Sequence, residues 1–332
     1  MIQTESAGAP ALTKPRLKFW KSPLFRYGFS AIVLAILLTI IPFHKVWAAM
    51  RTIPLWFGLA MLGCFLAAHL LGVEKWRLMI NVAGAGLSYP QAVRCYYWGL
   101  FGNIFLPSMV GGDIVRAGMA FLFARSRPAV VLGSLIDRMQ DMGSLMAVTL
   151  IGIALVPGST SSRTRMVLWM TAGLLAACAA LGVALLFFVP ARRFSFKRRR
   201  TLVKVRRGVR SMARHPERMV FCFILGMILQ TSLAIINCCL GNAIGLHLSP
   251  ALWLFAWPLA KLTSLFGFTQ GGIGVREAAL VFLLLPFGAP ADRTLAVGLT
   301  FQAILISGGL VAGIVAIGLG QIDALKTHRR SA

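Results

Sequence analysis

Two octapeptides of this chain carry the same arrangement of glycine and arginine, GGDIVRAG from Gly111 and GGIGVREA from Gly271. In each, a glycine pair is followed by two residues and then Val-Arg. Arg116 and Arg276 therefore stand about one helical turn beyond Gly112 and Gly272. Pro107 with Gly111 and Gly112, and Gly267 with Gly271, Gly272 and Gly274, are residue types that break helices. A helix that restarts after such a break presents unpaired N–H groups and the positive end of its dipole, which together favour an anion. Arginine adds bidentate binding of phosphate oxygens. One reading of the two arginines is contact with an anionic headgroup. The other is local pairing, Arg116 with Asp113 or Asp137 and Arg276 with Glu277.

Further polar residues lie in or beside apolar surroundings. SLIDRMQDMG places Asp137 and Asp141 four residues apart on one helical face, with Asp137 roughly 13 Å into a helix that starts near Pro128. Buried carboxylates of this kind either carry a coupling proton or counter a cation such as Arg116. Asp113 and Glu277 are candidates for the same two roles. Lys261 is either a headgroup contact or a snorkelling side chain. Asn103 and Gln270, just before the two breaks, either bond a headgroup or tie the chain to its neighbour.

The elements that must position these residues follow from composition. The chain is 58% hydrophobic and only 13% charged, with a mean hydropathy of +0.79, which marks an all-α polytopic membrane protein. Its net charge of +25 comes from 34 Lys and Arg against 9 Asp and Glu. The basic residues fall between apolar runs and form no separate basic domain, so they read as topology signals facing anionic lipid, and no nucleic-acid partner is expected. Seven tryptophans, among them Trp76, Trp253 and Trp257, fall near expected interfaces and read as an aromatic belt. The six cysteines lie in or beside apolar segments without metal-ligand spacing, and no metal or cofactor is expected.

Apolar runs cover roughly 27–43, 52–72, 92–106, 113–124, 128–156, 165–189, 219–244, 251–267, 273–287 and 294–319. The runs at 92–106, 113–124 and 273–287 are about 18–23 Å long, short of the roughly 30 Å hydrocarbon core. The basic tail at 1–26, the loop at 190–218, the tail at 320–332 and the pair Lys75 and Arg77 are all assigned to the cytoplasm. The loop at 190–218 holds twelve Lys and Arg against the single Glu217. These constraints fit about six full spans with two re-entrant hairpins, 92–124 entering from one face and 251–287 from the other. The plan is then an inverted repeat, 27–156 and 165–319, each half written helix, helix, re-entrant hairpin, helix. Inverted-repeat transporters place their site between broken helices at mid-membrane, and here the breaks are Gly111–Gly112 and Gly271–Gly272.

With these motifs assembled, the chain resembles the flippase-like membrane domain of the lysylphosphatidylglycerol synthase transmembrane family. The stretches that carry the resemblance are EKWRLMI at Glu74, GNIFLPSMVGGDIVRAG at Gly102, LIDRMQD at Leu135 and QGGIGVREAALVFLL at Gln270. It extends from about residue 27 to 319. The resemblance implies translocation of lipids between leaflets in a cytoplasmic membrane. It does not imply lysine transfer to lipid, because the larger synthases carry a soluble transferase domain after this region and this chain stops shortly after its last apolar run. The expected substrate is an anionic phospholipid or a lipid-linked glycan or isoprenoid.

A nucleotide phosphate loop is missing, so movement would be passive or ion-coupled. Two competing readings stand beside translocation. One is an intramembrane prenyl- or lipid-modifying enzyme, suggested by the DxxxD of Asp137 and Asp141, although its second acidic motif is lacking and no catalytic constellation is found. The other is an accessory subunit of a separately encoded lipid-modifying enzyme, docked through the basic loop.

Overall fold

The computed structural model describes residues 43–106, 111–156, 196–263 and 272–331. The spans expected at 27–43 and 165–189, the N-terminal tail, and the bend residues Pro107, Gly267, Gln270 and Gly271 lie outside these ranges, apart from Phe43. Every regular element among the described residues is helical. In chain order they are α1 (Phe43–Arg51), α2 (Leu55–Val82), α3 (Tyr89–Phe105), α4 (Gly111–Ala120), α5 (Arg127–Leu155), α6 (Phe196–Ala213), α7 (Pro216–Ala243), α8 (Pro250–Thr263), α9 (Val275–Leu284) with a 3-10 turn at Leu285–Phe287, and α10 (Ala291–Ser331).

Proline and glycine punctuate these helices. Proline stands at the N-cap of α2 and in the first positions of α3, α5, α7 and α8, where its missing N–H costs nothing. Gly84, Gly245 and Gly288 take left-handed backbone angles just beyond α2, α7 and the 3-10 turn, as helix stops do. The turn from α2 to α3 is closed by Asn81, whose amide exchanges two hydrogen bonds with the Leu87 backbone at 2.7 and 2.8 Å.

Among the described residues, three helices are long and apolar enough to cross a membrane, Leu55–Val82, Pro216–Ala243 and Ala291–Gln321. Helix α5 is as long, at 29 residues, but carries Asp137, Arg138 and Asp141. By contrast α3, α4, α8 and α9 have 17, 10, 14 and 10 residues, roughly 15–26 Å each at the α-helical rise. The outward surface is apolar, with Leu55 80% and Phe282 77% exposed, as suits a protein solvated by lipid.

The helices pack in a reciprocal pattern. Helix α5 lies along α8, and α10 lies along α3, so each long helix that follows a short pair packs on the first arm of the other pair. Helix α2 packs on α7, α3 on α4, and α8 on α9. Missing side chains allow these approaches, as is usual between membrane helices. A Cβ at Gly152 of α5 would sit 2.4 Å from the Phe255 nitrogen of α8.

Three local expectations are corrected. The basic stretch read as a loop at 190–218 is helical over Phe196–Ala213, because Arg and Lys are good helix formers and Gly208 and Met212 seat the helix inward. Met212 is buried, and a Cβ at Gly208 would meet Leu132 of α5 at 2.6 Å. Helix α2 continues ten residues past the apolar run that ends at 72, so Lys75, read as a cytoplasmic charge, is 2% exposed. Trp76, Trp253 and Trp257 are fully buried and not in a belt, whereas Trp47 and Trp56 are exposed. The buried three face neighbouring helices, since proximity to a charge in the sequence does not place a side chain at the interface when the helix turn points it inward.

Candidate functional site

Helices α4 and α9 start inside the protein, and each brings an arginine to a common cavity of about 200 Å³. Residues of α2, α3, α4, α5, α7, α8, α9 and α10 line it. Its charged lining consists of Asp113, Arg116, Arg138, Asp141, Lys261 and Arg276. The two bend arginines, separated by 160 positions in the chain, thus share one chamber.

Around Arg116 the charges form a chain of alternating sign. Arg138 Nη1 lies 3.4 Å from Asp113 Oδ2, and Arg116 Nη2 donates to Asp113 Oδ1 at 3.0 Å and to Asp137 Oδ2 at 3.1 Å. Lys75 Nζ stands 2.9 Å from Asp137 Oδ1 and also donates to Asp141 Oδ1. Three cations and three carboxylates alternate without a break. Both Lys75 and Asp137 are almost fully buried, a placement tolerated only because each charge is paired. The Arg116 guanidinium also lies over the rings of Trp76 and Tyr96, at 4.8 and 5.0 Å, close enough for cation–π attraction.

Arg276 has an analogous surround made from different residues. Its guanidinium bonds Glu277 Oε1 and donates to Gln302 Oε1 at 2.7 Å, and it faces Trp257 and Phe301 at 5.3 and 5.9 Å. Beside it Lys261 Nζ donates to Gln230 Oε1 at 3.0 Å.

The starts of the two inner helices are partly capped by protein. Gly112 N–H donates to Asn103 Oδ1 at 2.9 Å, and Gly274 N–H donates to Glu277 Oε2 at 2.7 Å. These N–H groups do not wait for an external anion, and both arginines hold the local carboxylates that the pairing alternative named. Three donors beside the cavity remain without an acceptor among the described residues, Arg116 Nε, Arg138 Nη2 and Trp257 Nε1. A buried donor left unpaired costs about 1–3 kcal/mol.

The two similar motifs use their glycines differently. Gly111 and Gly112 are helical residues of α4, buried against α3, and a Cβ at Gly112 would fall 2.3 Å from Asn103 Oδ1 and 2.4 Å from the Gly99 carbonyl oxygen. Gly272 and Gly274 take positive φ, 82° and 87°, which L side chains rarely adopt. Gly112→Ala is therefore expected to cost about 1–3 kcal/mol through overpacking. Gly272→Ala is expected to cost about 1–2 kcal/mol through backbone strain. Thermal unfolding in detergent measures both, and a Gly112→Ala/Asn103→Ala pair should recover part of the first loss and none of the second.

Of the residues singled out from sequence, Asn103, Asp113, Arg116, Asp141, Lys261 and Arg276 line the cavity. Asp137 and Glu277 lie behind the arginines, fully buried. Gln270 and Gly271 are outside the described residues. Sequence reasoning gave no site role to Lys75 and Trp257, which it read as a topology signal and a belt residue, and passed over His69, Tyr96, Gln230 and Gln302. A signal for Lys75 existed: Gly72, Lys75, Met79 and Val82, all buried, follow the three-and-four spacing of one helical face, which carries the helix past its charges.

Comparison with known proteins adds a family. No curated protein matches the chain. A family model described as the lysylphosphatidylglycerol synthase TM region matches residues 24–313, a span that contains both bend motifs and every residue of the cavity. With nearly the whole chain covered, this membrane protein belongs to the lysylphosphatidylglycerol synthase TM region family.

Proposed function

We propose that the protein moves a lipid with an anionic headgroup between the leaflets of a cytoplasmic membrane, with the headgroup held in the cavity and the acyl chains left in the bilayer. The observation that carries this reading is the shared chamber. It brings Arg116, Arg276 and Lys261 from opposite halves of the chain to one polar space inside an otherwise apolar molecule. Intramembrane charges gathered around a cavity mark substrate pathways. The unmet donors Arg116 Nε and Arg138 Nη2 of the first half and Trp257 Nε1 of the second suit acceptor oxygens of a phosphate ester.

The reciprocal packing of α5 on α8 and α10 on α3 supports an inverted repeat, and the shortness of α3, α4, α8 and α9 supports two re-entrant hairpins meeting at the site. In this arrangement the hairpins rock against the long helices and expose the headgroup to one face at a time. Asp113, Asp137, Asp141 and Glu277 hold the cations in place while the cavity is empty.

The test is movement of headgroup-labelled phosphatidylglycerol in proteoliposomes, read by accessibility of the label to a membrane-impermeant quencher. Movement several-fold faster than in protein-free vesicles is expected. A rate equal to that of protein-free vesicles, for this lipid and for a glycosylated phospholipid, overturns the reading.

A further inference from the structure

We infer that the cavity selects headgroups carrying one negative charge and discriminates against those carrying two or more. This rests on the proposed binding of a lipid headgroup there. Among the described residues, five cations surround the chamber, Lys75, Arg116, Arg138, Lys261 and Arg276, and four carboxylates, Asp113, Asp137, Asp141 and Glu277. The excess is one positive charge.

The count is not a by-product of composition. The chain has 9 acidic residues against 34 basic ones, yet Asp113, Asp137, Asp141 and Glu277 are all gathered at this chamber. A site built simply for maximal attraction to anions would have no use for them. In a poorly solvated interior the cost of a net charge rises with its square, whatever its sign. The empty chamber carries one unit, a bound monoanion cancels it, and a bound dianion leaves one unit of the opposite sign. A single phosphodiester is thus the headgroup that leaves the chamber neutral. A zwitterion leaves the excess as it was.

The experiment titrates the full chain, solubilised in detergent, with phosphatidylglycerol, phosphatidylcholine and an isoprenyl diphosphate, and reads bound lipid by native mass spectrometry. Phosphatidylglycerol should bind at least about tenfold more tightly than either of the others, given the strength of unit-charge interactions at low dielectric. Asp113→Asn raises the excess to two and should bring the diphosphate, which carries two to three negative charges at neutral pH, level with or ahead of phosphatidylglycerol. Lys261→Gln removes the excess and should place phosphatidylcholine ahead of phosphatidylglycerol. Asp113 is 28% exposed, so its variant should fold even if the Lys261 variant does not.

Wild-type protein that binds the diphosphate as well as phosphatidylglycerol, or variants that leave the order unchanged, would overturn the inference while leaving lipid binding intact. Two results would instead overturn the lipid reading on which it rests. One is binding of phosphatidylglycerol unaffected by Arg276→Gln. The other is equally strong competition by glycerophosphoglycerol, the same headgroup without acyl chains.

Discussion

Lys75→Met is expected to destabilise the protein by about 3–5 kcal/mol, the cost of breaking a buried ion pair by removing one partner. Lys75 is 2% exposed and joins Asp137, 1% exposed, to Asp141. Methionine fills a similar volume, so the loss reports charge and not a cavity. What it leaves is a chain of two cations, Arg116 and Arg138, against three carboxylates, with Asp141 deprived of its contact. Asp141→Asn in the same protein restores the balance, and the double variant should recover most of the loss. Reversible unfolding in mixed micelles measures both. A Lys75→Met variant as stable as wild type would mean that water or another cation already reaches Asp137 and Asp141, and that the alternating chain contributes little.

The second large effect is on lipid movement. Arg116→Gln and Arg276→Gln should each slow movement of headgroup-labelled phosphatidylglycerol at least tenfold, because a hydrogen bond to a charged group is worth about 1.5–3 kcal/mol. Each arginine bonds a carboxylate, so part of the loss would come from stranding that carboxylate. Arg276→Gln/Glu277→Gln separates the two causes. It removes both charges together, retains an amide oxygen that can accept from Gly274 N–H, and should be nearly as stable as wild type but equally slow. Lysine should not substitute, since a point charge cannot reproduce the planar fork lying between Asp137 and the faces of Trp76 and Tyr96. Rapid movement by the charge-neutral double variant would remove Arg276 from the site.

Much of the architecture is legible along the chain because membrane solvation acts locally. A run of apolar residues long enough to span is helical wherever it falls, and α2, α5, α7 and α10 lie where such runs occur. The short arms α3, α4 and α9 are legible for the same reason, as runs too brief for the bilayer, whereas the run that holds α8 did not stand out as short. Arg116, Arg276, Lys261, Asp113 and Asp141 stand out as charges in apolar surroundings, and all of them line the cavity.

Where reading failed, a local rule was applied to a residue whose position is set by distant neighbours. Lys75 follows an apolar run and is basic, which ordinarily marks a loop. Its carboxylates come from α5, more than sixty positions later in the chain. Trp257 and Gln302, which meet at Arg276 from α8 and α10, are an ordinary aromatic and an ordinary amide until those helices pack. The glycines of the twin motifs look equivalent in sequence, yet only the neighbouring backbone makes one set a close contact and the other a left-handed turn.

The sequence by itself determined that this is a helical membrane protein, where its helices break, which charges enter the apolar interior, and the family resemblance that those motifs carry. These are consequences of solvation and of backbone stereochemistry, and both act residue by residue. Only the tertiary structure decided which carboxylate holds which cation, and that Arg116 and Arg276 line one chamber. Those depend on how closely whole helices approach, and an electrostatic energy has no value until the distances between its charges are fixed.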